Sequence, residues 1–157
     1  MDISTFYALT SATCLGLAGL WWSVVQDKPQ WYTDETKKRL IGGIYASFLI
    51  PGVMSLAAQI GVESSLIWRI IFIIGAGFGF SYSTQLIKLT RDSNPNGAFS
   101  RNSWVVPVLY ALVIFFSIFA GLAQFAGLQP LQLEALLLCG LILCAHVLAW
   151  EFMTSTA

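Results

Sequence analysis

The sequence is poor in charged residues. They make up only 10% of its 157 residues, whereas hydrophobic residues make up 57%. Soluble domains carry about 25% charged residues, so this chain has too few to cover a water-soluble globule of its size. The apolar content and the net charge of zero also exclude an intrinsically disordered chain. The composition therefore predicts an integral membrane protein with several spans.

Histidine and cysteine are also scarce, with one histidine and three cysteines in the chain. Cys139 and Cys144 are five residues apart on one predicted helix and point in different directions, so they cannot form a disulfide with each other. Cys139 and His146 are separated by about 10 Å along a helix axis, too far to bind the same metal ion. We expect no metal site and no cofactor, and no catalytic triad or carboxylate pair is visible. An enzyme is therefore the less favoured class.

Long hydrophilic segments are missing as well. Five apolar stretches have the length of about 20 residues that crosses a hydrocarbon core of about 30 Å. They cover approximately residues 5–25, 40–60, 66–87, 104–126 and 131–152. The first has no preceding Lys or Arg and no small-residue cleavage site, which argues against a signal peptide. The sequence predicts an all-α membrane protein, a single domain with a bundle of five transmembrane helices.

The positive charges predict the orientation of this bundle. Seven of the eight Lys and Arg residues lie in the two longest loops: Lys28, Lys37, Lys38, Arg39, Lys88, Arg91 and Arg101. In a five-span chain both loops share one side, which the positive-inside rule assigns to the cytoplasm. The N-terminus would lie outside and the C-terminus inside, in a plasma or inner membrane.

Lys37, Lys38 and Arg39 directly precede the second span, where cations attract anionic lipid headgroups at about 1 kcal/mol per charge. Lipid contact explains these cations, so we expect no nucleic acid partner.

Small residues recur at intervals of four within the spans. Ala8, Ala12 and Gly16 do so in the first span, and Gly75 and Gly79 do so in the third. This spacing places each set on one helix face, where we expect close packing against another helix of the bundle. In the second span, Pro51 and Gly52 predict a kink and form a candidate hinge.

The third span also contains the most unusual polar stretch. Three alternating glycines are followed by five consecutive polar side chains. The candidate residues of a pathway or pocket are Gly75, Gly79, Ser81, Tyr82, Ser83, Thr84 and Gln85. Consecutive polar residues cover every face of a helix, so they cannot all face lipid without cost. They either line a hydrated pathway or pocket, or bond backbone carbonyls one turn back while Tyr82 and Gln85 reach the membrane surface.

Ionisable residues in or beside the spans are functional candidates because a charge inside a membrane is costly. They are Glu63, Arg69 and Glu134 on the predicted outer side and His146 and Glu151 on the inner side. For Arg69, an ion pair with Glu63 or Glu134 is favoured over a substrate clamp. For His146, a hydrogen bond to a neighbouring helix is favoured, although histidine can titrate near neutral pH.

Three classes of function remain open. The first is a small channel or transporter, a homo-oligomer in which the third helix lines a polar pathway, since five mostly apolar helices leave little room for a pore in one copy. The second is an accessory subunit of a larger membrane complex, because catalytic groups are not visible. The third is a membrane-embedded protein or enzyme that binds lipid or quinone near Tyr82, His146 and Glu151.

Overall fold

The computed structural model describes residues 2–60, 64–93 and 97–155, and every element in these ranges is helical. The α-helices are α1 (Ile3–Gln26), α2 (Glu35–Ile60), α3 (Ser65–Ser93), α4 (Ala98–Asn102), α5 (Val105–Ile118) and α6 (Pro130–Ser155). Two 3₁₀ helices cover Pro29–Tyr32 and Ala120–Ala126. Five helical stretches are long and apolar enough to cross a membrane. The prediction of an all-helical protein with five helices able to cross a membrane is confirmed for the described residues, whereas membrane insertion and orientation stay predictions.

The predicted fourth span, residues 104–126, begins next to the first residue of α5, Val105, but extends beyond the end of that helix. Its apolar helical stretch runs from Phe99 to Ile118. At Phe119 the backbone leaves the helical region, with φ −104° and ψ 50°, and the chain continues as the second 3₁₀ helix. Gly127 ends this turn with a φ of 68°, a left-handed conformation that glycine adopts without steric cost. The apolar residues after Ile118 therefore extend the hydrophobic pattern without extending the α-helix.

Helix α2 lies between several neighbours, since it contacts α1, α3 and α6, and α5 packs against both α3 and α6. Short connections make the five long helical stretches alternate in direction. The loops that carry most Lys and Arg residues consequently meet at one end of the bundle. We call this the basic end, defined by Arg39, Lys88 and Arg101, and we call the other the opposite end, defined by Tyr7, Arg69 and Glu134.

Aromatic side chains fill the core at the basic end. Trp21 of α1 stacks on Trp31 of the first 3₁₀ helix, with ring centroids 6.4 Å apart, and Trp31 meets Phe152 of α6 edge-on at 5.0 Å. The indole N–H of Trp21 donates a hydrogen bond to the carbonyl of Ile41 at 3.1 Å. These contacts fix the connection between α1 and α2 against the last turns of α6.

A second core lies toward the opposite end. It contains Tyr7, Met54, Phe72, Val113 and Leu138, all of which are fully or almost fully buried. The five residues come from α1, α2, α3, α5 and α6, so this core joins all the long helices. An apolar layer therefore crosses the bundle between its two ends.

The small residues of α1 do not pack against the bundle as expected. Ala8, Ala12 and Gly16 are exposed, and a side chain added at Gly16 would meet no atom within 4 Å. The reason is that α1 buries a different face, formed by Tyr7, Ser11, Cys14, Ala18, Trp21 and Val25. That face carries the larger side chains, so it buries more surface than the small-residue stripe could.

The candidate hinge in α2 is enclosed. The helix is continuous through Pro51, and both Pro51 and Gly52 are buried. A Cβ atom at Gly52 would lie 2.9 Å from the Cβ of Cys14 on α1. Gly52 thus allows α1 and α2 to approach closely, while a hinge role for this site stays a prediction.

Candidate functional site

A hydrogen-bonded network of three polar residues joins α3, α5 and α6 at the opposite end. It begins at Arg69, in the second turn of α3. The Arg69 Nε donates to the carbonyl of Ser117 at 2.6 Å, and a terminal guanidinium nitrogen donates to the carbonyl of Ile118. These are the last two carbonyls of α5, which have no partner within their own helix. A guanidinium also complements the negative end of the helix dipole, so Arg69 stabilises the end of α5.

Ser117 links this arginine to a carboxyl group. Its hydroxyl donates to Glu134 Oε1 at 2.8 Å, and both side chains are fully buried, with an exposed fraction of 0%. Arg69 and Glu134 are therefore connected through Ser117. The direct ion pair that the sequence favoured is not formed between these two residues, because Arg69 is engaged by the backbone of α5. Its other predicted partner, Glu63, lies outside the described residues.

The second carboxyl oxygen of Glu134 is isolated. Oε2 is buried and has no hydrogen-bond partner among the described residues. An unpaired polar group in an apolar interior costs about 1–3 kcal/mol, and more when it is charged. Such a group persists when it has a function or when a ligand, a water or a proton satisfies it. Glu134 is therefore the best candidate for chemistry in this part of the protein.

The local sequence explains why Glu134 points inward. Pro130 begins α6, a position where its missing N–H group is not needed, and the Gln132 side chain accepts from the free N–H of Gln129 at 2.9 Å. On the inner face, the buried hydroxyl of Tyr7 donates to the carbonyl of Leu131 at 2.7 Å. Glu134 lies one turn after Leu131. The first turn of α6 is thus held against α1, and this fixes the direction of the glutamate.

A second buried carboxyl group lies at the basic end. Glu151 in the last turn but one of α6 accepts a hydrogen bond from the backbone N–H of Phe99 at 2.6 Å. The contact satisfies one of the free N–H groups at the start of α4. Glu151 Oε1 is buried and has no partner in the described ranges. Both candidate glutamates of α6 therefore have one engaged and one isolated oxygen.

A small cavity lies between α2, α3, α5 and α6, nearer to the basic end. Its volume is about 30 Å³, enough for roughly one water molecule. Phe99 lines the side next to Glu151, and polar groups in the wall come from Ser47, Tyr82, Ser83, Tyr110 and Cys144. The Ser47 and Ser83 hydroxyls donate to the carbonyls of their own helices, three residues back.

The predicted pathway residues of the third span do not form one site, because the structure places them in different surroundings. Gly79, Tyr82 and Ser83 line the cavity. Gly75 instead packs against Met54, since a Cβ atom there would lie 2.7 Å from its side chain. A side chain at Gly79 would likewise overlap the ring of Tyr110, so both glycines serve close packing as well.

The hydroxyl groups of this span satisfy themselves locally. Ser81 donates to the carbonyl of Gly77 at 3.0 Å, and Thr84 donates to that of Ser81 at 2.8 Å. This agrees with the alternative in which hydroxyls bond carbonyls of the preceding turn. Gln85 lies in a separate pocket with Arg39.

His146 does not join Glu151 or the cavity. Its Nδ1 lies 2.8 Å from the carbonyl of Ile142 in its own helix, and its ring meets Phe48 of α2 edge-on at 5.2 Å. Its side chain is otherwise exposed. The expected hydrogen bond to a neighbouring helix is therefore replaced by one within α6. No group of three His, Cys, Asp or Glu side chains able to hold a metal ion occurs among the described residues.

Sequence reasoning missed three residues of these sites. Ser117 looks like an ordinary packing serine, Tyr7 lies at the edge of a span, and Tyr110 lies inside an apolar run. The signal that could identify Ser117 is its position at the end of α5, opposite Arg69 and Glu134 in neighbouring spans.

Comparisons with protein-family models, curated proteins and solved structures give no significant match to this chain.

Proposed function

We propose that the protein is a small membrane transporter or channel that moves protons, alone or together with another ion, and that Glu134 is its proton-binding group. The observation that carries the proposal is the complete burial of this carboxyl group in an apolar helix, with one oxygen unpartnered. Carboxyl groups inside membrane spans are rare and mark proton relays and ion pathways.

The order of groups along α6 supports this function. Glu134 precedes Leu141, in the cavity wall, by seven residues, or about 10 Å along the helix. The wall continues to Leu148, and Glu151 follows three residues later. Two carboxyl groups thus flank a cavity that can hold water, about 25 Å apart along one helix. A water molecule in this cavity supplies one step of the proton path that we propose between the two groups.

The apolar layer around Phe72 and Leu138 separates Glu134 from the cavity in this conformation. A separation of this kind is what a transporter needs, because an uninterrupted path would leak protons. In the proposal, the basic end faces the cytoplasm, and the layer opens by a rearrangement of the helices or at a contact between copies in a homo-oligomer.

Proton flux into proteoliposomes tests the proposal. The purified chain is reconstituted with a pH-sensitive dye inside, and a potassium diffusion potential drives protons inward. The native chain is expected to acidify the lumen faster than protein-free vesicles. Glu134→Gln, which preserves shape and removes the titratable group, should slow the flux by at least about tenfold, since a positioned proton-transfer group contributes about 10²–10⁴-fold.

Glu35→Gln is the matched control, because Glu35 is an exposed carboxylate at the start of α2 that pairs with Lys38 and Arg39. We expect it to leave the flux within about twofold of the native rate, as exposed ion pairs contribute little. Equal flux from native and Glu134→Gln vesicles would refute the role of Glu134. Flux equal to that of empty vesicles, with co-purification of another membrane protein, would favour an accessory subunit instead.

A further inference from the structure

A crevice between α2 and α3 contains a cationic pocket at the basic end. Arg39, Tyr82, Gln85, Leu86 and Leu89 line it, and its volume is about 270 Å³. This is close to the lower limit of small-molecule sites, about 300 Å³. Its polar groups are a guanidinium, a phenol and an amide, and no carboxylate is part of its lining. The pocket is therefore suited to an anion.

The guanidinium of Arg39 remains available to such a ligand. Its Nε lies 3.7 Å from Glu35 Oε1, but both side chains are 69% exposed, and an exposed pair of this kind contributes little. A guanidinium has five N–H donors in a planar fork that matches the oxygens of a phosphate group. Gln85 can donate from its amide, and the Tyr82 hydroxyl lies near Gly42, 3.7 Å from the place of an added Cβ atom.

An apolar groove continues the same crevice along the surface of the bundle, toward the opposite end. Leu49, Ile50, Val53 and Met54 of α2 and Ile71, Ile74, Gly75 and Phe78 of α3 line it, and its volume is about 320 Å³. Phe78 lies one turn from Tyr82, so the groove begins where the polar pocket ends. From Phe78 to Ile71 it extends about 10 Å along α3, which fits within one leaflet of about 15 Å.

We propose that this crevice binds one anionic phospholipid. Its phosphate group lies against Arg39, Tyr82 and Gln85, and one of its acyl chains lies in the groove between Val53 and Ile74. A lipid is favoured over a free anion because the cationic pocket and the apolar groove are adjacent and follow the order of a headgroup and its chain. Lys37 and Lys38 do not line the pocket, and their expected attraction acts on an anionic membrane surface as a whole rather than on a single lipid bound in this crevice.

Native mass spectrometry of the full chain in detergent tests this site, with phosphatidylglycerol, phosphatidylcholine and inorganic phosphate as probes. We expect phosphatidylglycerol to bind at least about tenfold more tightly than phosphatidylcholine, because only the former has a net negative headgroup. Inorganic phosphate at millimolar concentration should not displace it, since phosphate cannot use the groove. Displacement by phosphate, or equal binding of the two lipids, would overturn the proposal.

Variants locate the binding. Arg39→Gln should weaken phosphatidylglycerol binding by about tenfold, the loss of one charge-assisted contact. Lys38→Gln is the matched control, since it removes an adjacent positive charge outside the pocket lining, and we expect a change below about twofold.

Val53→Trp, at a half-exposed groove residue, should weaken the binding of both lipids by filling the groove. Equal losses in Arg39→Gln and Lys38→Gln would show diffuse attraction and overturn the site. None of these variants touches Glu134, so the outcome is independent of proton transport.

Discussion

The carboxyl group of Glu151 occupies the space that a side chain at Gly97 would need. Gly97 precedes α4 and has an extended backbone, with φ −63° and ψ 150°, which any residue can adopt. The glycine is therefore required by the close approach of Glu151 rather than by its backbone conformation. Through this contact, the start of α4 and the end of α6 depend on each other.

Gly97→Ala is expected to destabilise the protein by about 1–3 kcal/mol, because the added methyl group must displace Glu151 from the N–H of Phe99. Thermal unfolding of the detergent-solubilised chain, followed by size-exclusion fluorescence, measures the change. Gly16→Ala is the control, since its methyl group meets no atom within 4 Å and alanine favours a helix by up to about 1 kcal/mol. Equal melting temperatures for the native chain and Gly97→Ala would contradict the contact.

Gly79 and Gly77 of α3 differ in what an added side chain would contact. Gly79→Ala places a methyl group against the buried ring of Tyr110, and we expect a loss of about 1–3 kcal/mol. Gly77→Ala, two residues away, adds its methyl group in open space and should be neutral or slightly stabilising. The same thermal assay compares them. If both substitutions are tolerated equally, α3 and α5 are not in tight contact at Gly79.

The sequence predicts the five apolar helices well because length and hydrophobicity determine which segments can cross a membrane. It predicts the end of the fourth span poorly. Residues 119–126 are still mostly apolar, although less so than those before them, so hydropathy alone gives no stop signal at Phe119. The helix ends where Arg69 of another helix binds the carbonyls of Ser117 and Ile118. This long-range contact cannot be read from the local sequence.

The candidate site was predictable only in part for a related reason. Glu134 and Arg69 are conspicuous as charges beside apolar runs, and the sequence identifies both as candidates. Their connection through Ser117 depends on which faces of α3, α5 and α6 meet. The stripe of Ala8, Ala12 and Gly16 shows the same limit, since its spacing identifies a common face without showing whether that face is buried.

Removing the hydroxyl of Ser117 should leave Glu134 Oε1 without its partner. We expect Ser117→Ala to lower the free energy of unfolding by about 1–3 kcal/mol, the cost of an unsatisfied buried polar group. Ser81→Ala is the matched control, because the Ser81 hydroxyl is exposed and bonds only its own helix, so a change within about 0.5 kcal/mol is expected. A double variant with Glu134→Leu tests the coupling. It should destabilise less than the two single losses added together, and strict additivity would argue against the hydrogen bond.

Arg69 controls the end of α5 through its two backbone contacts. In Arg69→Gln, the last carbonyls of α5 lose a charged donor, and we expect the helix end to open more easily by about 2 kcal/mol. Hydrogen exchange measures this directly. The amide of Phe119, which bonds the carbonyl of Phe115 at 2.9 Å, should exchange about 30-fold faster when exchange follows local opening. Arg101→Gln, at an exposed arginine of the basic end, should leave that amide unchanged. Unaltered exchange at Phe119 in Arg69→Gln would mean that α5 ends there for another reason, and Ser117 would then be positioned without the arginine.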